Sequence, residues 1–222
     1  MSLLSEKDAK IVGERLSRLP RTVTLSLFTQ EFECELCRQT RELLEELAAI
    51  SGGKVAVEVF DFVRDKAKAD ALGIDKIPAI AVQGPEGDDH GIRFFGIPAG
   101  YEFASLLETL EMTAKADSGL APATREKLKS LHSPLDLKVF VTPTCPYCPR
   151  AVLNAFRFAM ESPYVTASMV EATEFPHLSN KYGVSGVPHT VIGDSAQPMI
   201  GAYPEAAAAE MVLAAAQGMK GM

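Results

Sequence analysis

Positive charge is scarcer in the chain than negative charge. Twenty-two Lys and Arg stand against 29 Asp and Glu, giving a formal charge of −7 and a pI near 5.2, and no stretch gathers the basic residues into a patch. That argues against nucleic acid and anionic membrane surfaces as partners, because both are held by such patches. Long apolar runs are missing as well. The Ala-rich stretch from Ala206 to Ala216 is broken by Glu210 and is too short to cross a bilayer. Glu6, Lys7, Asp8, Lys10, Glu14, Arg15 and Arg18 leave no room for the apolar core of a signal peptide. The expectation is a cytoplasmic protein without membrane contact. Tryptophan is absent and cysteine scarce, with four in 222 residues.

What cysteine there is falls in two C-x-x-C pairs, Cys34 with Cys37 and Cys145 with Cys148. Permanent structural disulfides are rare in a reducing compartment, so the even count points to redox or metal use, not to a secreted scaffold. Zinc ribbons join their two pairs over about 15–20 residues. Here 145 − 37 = 108 positions separate the pairs, which makes a zinc-binding structural protein the weaker reading. A predicted strand, Leu137 to Val141, runs through Thr142-Pro143-Thr144 into a predicted helix beginning near Pro149. Cys145 is then expected at a helix start, where free N–H groups and the helix dipole favour thiolate over thiol. Cys148 would follow one turn deeper on the same face, near enough for the two sulfurs to alternate between dithiol and disulfide.

The rest of the chain reads as one α/β unit written twice. Ser5 to Asp8 resembles a capping box, after which Ile11, Val12, Leu16 and Leu19 recur at helical spacing up to Pro20. In Thr22 to Phe28, Val23, Leu25 and Leu27 alternate with hydroxyl residues as in a strand. Leu36, Leu43, Leu44, Leu47 and Ile50 form a helical stripe closed by Gly52-Gly53. A second strand (54–62), a short helix (66–72), a third strand opened by Ile77-Pro78, a turn-rich segment (84–91), a brief strand (92–95) and a closing helix (101–114) complete the unit. Residues 116–122 have linker composition, and the pattern restarts with a predicted helix from Pro122 to Leu131. The offset is regular: 145 − 34 and 148 − 37 both give 111, and 188 − 78 gives 110. Asp61 likewise falls on Glu171. We therefore expect an N-terminal unit over 1–115, a linker over 116–122 and a C-terminal unit over 123–222.

These residues carry a family resemblance. A C-x-x-C at a helix start, followed by Gly-x-x-x-x-Pro entering a strand, resembles the thioredoxin fold, and Cys145-Pro-Tyr-Cys148 resembles a glutaredoxin site. The duplicated form, together with Gly96 to Phe103, is similar to the two-domain protein disulfide oxidoreductases known mainly from thermophiles. The resemblance implies two tandem thioredoxin-like units, each a central mixed β-sheet flanked by helices. It implies thiol-disulfide exchange on protein disulfides, with no bound cofactor or metal and with electrons from NADPH through a flavin-dependent thioredoxin reductase. On it, Cys34 and Cys145 match the nucleophiles and Cys37 and Cys148 the resolving thiols. Pro78 and Pro188 match the cis-prolines, with Ile77 and Val187 beside them as substrate-binding residues. A proline there also leaves the preceding carbonyl and N–H free for a substrate backbone. The chain departs from thioredoxin in having no Trp and no buried acid six residues before either first cysteine, where Phe28 and Val139 stand. It departs from glutaredoxins in having Gly201-Ala202 in place of Gly-Gly. A further resemblance, to the tandem N-terminal domain of the alkyl hydroperoxide reductase flavoprotein, implies an electron relay to a peroxiredoxin-type peroxidase. That domain keeps only its second pair, so the intact Cys34/Cys37 weighs against it, as does the lack of an attached flavin-binding domain.

The two pairs should differ in reactivity. Glu33 and Glu35 flank Cys34, with Arg38 and Arg41 nearby, whereas Pro146 and Tyr147 bring no charge to Cys145. Carboxylates beside a forming thiolate disfavour it, so Cys145 is expected to have the lower pKa. A proton relay is expected to use water or nearby groups such as Glu31 and Glu33. His189 is expected at the surface with hydrogen-bond partners, and His90, His132 and His177 in solvent. Asp61 and Glu171 are expected to cap loops at strand ends, and Phe94-Phe95 to pack inward.

Overall fold

A computed structural model describes residues 3–193 and 197–218. The outermost residues of the two expected units, 1–2 and 219–222, lie outside the described residues. The chain divides into two compact units, one of Met1–Asp89, Arg93–Ile97 and Leu110–Asp117, the other of His90–Ile92, Pro98–Thr109 and Ser118–Met222. The division therefore does not follow the sequence linker alone. It assigns Pro98–Thr109, the start of the first unit's closing helix included, to the second unit.

The first unit begins with helix α1 (Glu6–Leu16), whose N-cap Ser5 accepts a hydrogen bond from the Asp8 N–H at 3.1 Å. Val12 and Leu16 are buried as their spacing requires, but Ile11 is exposed beside Arg15 and Leu19. One turn of helix cannot face the core with both Ile11 and Val12, which lie about 100° apart on the helix. Strands β1 (Val23–Thr29), β2 (Val55–Asp61), β3 (Ala79–Gln83) and β4 (Asp89–Phe95) form a sheet in the order β2-β1-β3-β4. The β1–β2 pair is parallel and the β1–β3 and β3–β4 pairs are antiparallel. Helix α2 (Cys37–Ile50) packs on β1, β2 and α1, and α3 (Lys66–Ala71) connects β2 to β3. As the central strand, β1 is covered on both faces, and its alternation of apolar and hydroxyl residues does not mark a solvent face. Ser26 is fully buried and donates to Gln83 Oε1 at 2.7 Å. Strand β4 begins three residues before the expected start, with Asp89 paired to Gln83. Phe94 and Phe95 pack inward as expected. Buried Arg93 binds both Asp89 carboxylate oxygens, at 2.7 and 2.6 Å, and donates to the Leu72 carbonyl at 2.7 Å, which fixes the end of α3 ahead of Pro78.

Helix α4 (Glu102–Lys115) closes the first repeat. The second unit repeats the plan with α5 (Pro122–Leu128), β5 (Leu135–Val141), α6 (Cys148–Glu161), β6 (Val165–Glu171), α7 (Pro176–Lys181), β7 (His189–Ile192), β8 (Met199–Ile200) and α8 (Glu205–Gly218). Its sheet runs β6-β5-β7-β8, again parallel for β5–β6 and antiparallel for β5–β7 and β7–β8. Helix α5 stops at Leu128, short of the expected Leu131, which closes a following turn by donating to the Leu128 carbonyl. Helix α6 lies on β5 and β6, and it also meets α5 and α8. Each unit is thus a mixed sheet flanked by helices, the fold class expected from the sequence.

Candidate active site

Each C-x-x-C leaves the C-terminal end of its unit's central strand, β1 or β5. Cys34 is disulfide-bonded to Cys37 and Cys145 to Cys148, with Cα–Cα distances of 5.4 and 5.5 Å. Both helices start at the second cysteine, not at the first: Leu36 caps α2 and Tyr147 caps α6. The expectation that Cys145 opens the helix is corrected accordingly, and each pair straddles the helix start. Cys145 instead donates its N–H to the Thr142 carbonyl in a turn at 3.1 Å. The proline after it disfavours helical backbone at Cys145 itself. Neither helix has a side-chain cap or an acid in its first turn, so its leading N–H groups are left open at the sulfurs' end. In both pairs the second sulfur is the more deeply buried: Cys37 and Cys148 are enclosed while Cys34 is half-buried and Cys145 is 7% exposed. A partner reaches the first cysteine more easily than the second.

The two loops into these disulfides differ by a residue. Four residues (30–33) separate the end of β1 from Cys34, and three (142–144) separate the end of β5 from Cys145. Glu33 takes φ 58°, the left-handed region that a non-glycine residue seldom adopts, and the longer loop turns there into Cys34. The strand register follows suit. Phe28 pairs with Ala79, and Phe140, not Val139, pairs with the equivalent His189. Phe28 and Phe140 are therefore the matching positions, both fully buried.

Pro78 and Pro188 follow cis peptide bonds, with Ile77 and Val187 before them, and each enters the strand that pairs with the cysteine-bearing central strand. Their carbonyls accept from Gly96 N–H at 2.9 Å and Gly201 N–H at 2.8 Å. Among the described residues, the backbone N–H and C=O of Ile77 and of Val187 have no hydrogen-bond partner. Free backbone groups at a strand start can pair with an extended segment.

Of the carboxylates, Asp61 and Glu171 serve their loops. Asp61 Oδ1 accepts from the N–H groups of Arg64 and Val63, and these bonds, the Arg64 bond first, hold its pKa below the usual carboxylate value. Glu171 Oε2 accepts from Thr173 Oγ1 and Glu174 N–H, both at 2.6 Å. The acid that sequence reasoning missed is Glu102. It is 1% exposed, Ser105 donates to its Oε2 at 2.6 Å, and Oε1 has no partner among the described residues. Burial pushes its pKa up to about 7. Its neighbour Tyr101 donates its N–H to the carbonyl of Pro143 at 3.0 Å, two residues before Cys145. His189 is a correction: it is buried, its ring nitrogens have no partner among the described residues, and it stands edge-on to Phe140 at 6.2 Å. Burial lowers its pKa. Its place on β7, in the middle of the sheet between β5 and β8, puts it inside. His132 and His177 are exposed and His90 half-buried. Among the described residues no group of three or more His, Cys, Asp or Glu could hold a metal ion, and no helix is long and apolar enough to cross a membrane.

A strand order of this kind, with a C-x-x-C disulfide at the end of the central strand and a cis-proline at the start of its antiparallel neighbour, defines a thioredoxin-fold thiol protein built twice. The thioredoxin domain model matches residues 135–214, within the second unit. The chain is 32% identical to a protein disulfide oxidoreductase from Aeropyrum pernix K1, covering 96% of this chain and 94% of that one, with a TM-score of 0.88. It belongs to the two-domain protein disulfide oxidoreductases, glutaredoxin-like proteins of tandem thioredoxin folds. It is also similar to the alkylhydroperoxide reductase AhpF from Enterococcus faecalis in the C503A mutant structure, at 27% identity and a TM-score of 0.86, covering 94% of this chain and 99% of that one. Among curated proteins, the corresponding alkyl hydroperoxide reductase of Staphylococcus epidermidis is 28% identical over 141 residues, which is 62% of this chain. The chain spans about a quarter of the length of that relative, 24%.

Proposed function

We propose that the protein is a dithiol-disulfide oxidoreductase acting on protein disulfides, with Cys34 and Cys145 as nucleophiles and Cys37 and Cys148 as resolving thiols. The observation that carries this reading is the pairing of a more accessible first cysteine with an enclosed second one at the head of an uncapped helix, in both units. In the reductive direction the Cys145 thiolate attacks a substrate sulfur, the substrate S–S bond breaks, and the departing thiolate takes a proton. The Cys148 thiolate then attacks Cys145 Sγ, closing the protein disulfide and releasing the second substrate thiolate. Two electrons have passed from protein to substrate. Ile77-Pro78 and Val187-Pro188 align the substrate backbone beside the sulfurs. The Glu102 carboxyl, poised near neutrality beside the Cys145 loop, exchanges a proton with the second site as thiolate forms, a role that sequence reasoning did not give it. In this reading electrons arrive from NADPH through a flavin-dependent reductase, the partners are protein disulfides, and the compartment is the reducing cytoplasm. The units are taken to be 1–115 and 123–222.

The direct test is turnover of insulin disulfides with dithiothreitol as reductant. Wild type should accelerate precipitation of the reduced chains, and the Cys34→Ser/Cys145→Ser variant should not; an inactive wild type would end this reading. The likeness to AhpF favours a second reading with the same chemistry, a relay of electrons to a peroxiredoxin-type peroxidase. Peroxide consumption in the presence of a flavoprotein reductase, NADPH and a peroxiredoxin, lost in Cys145→Ser, would support the relay.

A further inference from the structure

Charge distinguishes the two disulfides more sharply than geometry does. Glu31, Glu33 and Glu35 are all exposed within five residues around Cys34, and none is ion-paired among the described residues. Cations near them along the chain and beside Pro78 have partners of their own. Arg38 faces Glu42 at 3.8 Å and Arg41 faces Glu45 at 2.6 Å along α2. Lys76, two residues before Pro78, pairs with Asp75 and lies over the Phe95 ring at 3.5 Å, and Arg64 acts on Asp61. At Cys145 the flanking residues Thr144, Pro146 and Tyr147 carry no charge, and the nearest exposed charge along the chain is Arg150. The extra residue in the first loop and the left-handed turn at Glu33 place one of the three acids directly before the nucleophile.

We propose that Glu31, Glu33 and Glu35 are specificity-determining residues that make the Cys34/Cys37 site select cationic disulfides, those flanked by Lys or Arg in a protein partner, while the Cys145/Cys148 site does not discriminate in this way. The inference rests on the oxidoreductase reading above. Exposed like-signed charges around a reacting atom raise the local concentration of oppositely charged partners and repel like-charged ones, and salt removes the effect. Phe32, 76% exposed in the same run, adds an apolar contact for such a partner.

The test uses the full chain in two forms, Cys145→Ser/Cys148→Ser to isolate the first site and Cys34→Ser/Cys37→Ser to isolate the second. Each is reduced with dithiothreitol, freed of it, and oxidised with cystamine, a dication, or dithiodiglycolate, a dianion. In each reaction the first thiolate attacks one sulfur of the small disulfide and expels a thiolate that is protonated by water. The second thiolate then closes the protein disulfide and expels the other. Because both reagents meet the same thiolate, the ratio of their rates cancels its intrinsic reactivity, and comparing that ratio between the two sites cancels the reagents' unequal leaving groups and reports charge selection. At about 10 mM salt the cystamine preference should be larger at the first site than at the second by about tenfold or more, and it should shrink toward parity at about 0.5 M salt. Glu31→Gln/Glu33→Gln/Glu35→Gln, made in the first form, should bring its ratio to that of the second site. Equal ratios at the two sites in low salt, or a difference that survives the triple substitution, would overturn the proposal. A first form that reacts with neither reagent would also overturn it, whereas failure of both forms to react with any disulfide would instead remove the oxidoreductase reading on which it stands.

Discussion

The two units reach the same disulfide from the same strand order and then surround it differently. In the first, a four-residue loop turns at Glu33 and sets three carboxylates around Cys34. In the second, a three-residue loop delivers Cys145 between uncharged neighbours, and the segment before α4 is pressed onto it through the Tyr101–Pro143 hydrogen bond. The acids that open the two closing helices differ too. Glu102 is buried with a raised pKa, whereas Glu205 is half-exposed and accepts from the Ala121 N–H at 3.0 Å. A duplicated scaffold thus keeps what positions the sulfurs and varies what sets their charge, which is how one chain can offer two unequal thiols. A difference of about 1.4 kcal/mol between two such couples corresponds to about 30 mV and gives electrons a direction.

Substitutions on either side of this contrast would sharpen or break it. The largest effect is expected from Cys145→Ser, which should lower insulin turnover by about a hundredfold or more, against about threefold for Cys34→Ser; equal losses would make the sites equivalent. Gly100→Ala comes next. A Cβ there would overlap the Pro143 carbonyl oxygen, at a φ of +59°, so urea unfolding should show a loss of about 2–4 kcal/mol. Turnover at the isolated second site should fall with it. Gly183→Ala, at φ +63° with open space around it, should lose only about 1 kcal/mol and leave turnover alone.

Glu102→Gln tests the buried acid by pH. Its folded pKa of about 7 lies above the ordinary 4.5, so the native state holds a proton that the unfolded chain has released. Its contribution is therefore full below about pH 4.5 and is lost as pH rises through about 7. The variant should gain about 1–3 kcal/mol relative to wild type at pH 8 and nothing at pH 4; a pH-independent difference in urea midpoints would contradict this. The smallest effect is Ser5→Ala, which removes the α1 N-cap. It should cost about 1 kcal/mol without altering turnover at either site.

Much of this was legible in the sequence because a duplication shows itself by position. The near-regular spacing of cysteines and prolines showed that one unit is repeated, and the family resemblance implied the cis-prolines that the structure has at Pro78 and Pro188. The same regularity concealed the extra loop residue: counting back from each cysteine equates Phe28 with Val139, whereas strand pairing equates Phe28 with Phe140. Local pattern failed where tertiary cover decides exposure. Ser26 and His189 are polar residues on strands enclosed by the rest of the fold, and Ile11 is an apolar residue turned outward. Glu102 left one readable trace. It sits four residues before Leu106 and eight before Leu110, on the face of α4 that is buried, where an acid is out of place unless it is used or paired.

The inequality of the two thiols is most directly tested by the pH dependence of iodoacetamide alkylation in the reduced single-site forms. Cys145 should reach half its maximal rate at a lower pH than Cys34, in keeping with its uncharged neighbours. A lower midpoint for Cys34 would mean that the carboxylates around it do not govern its reactivity, and the contrast between the two units would fall.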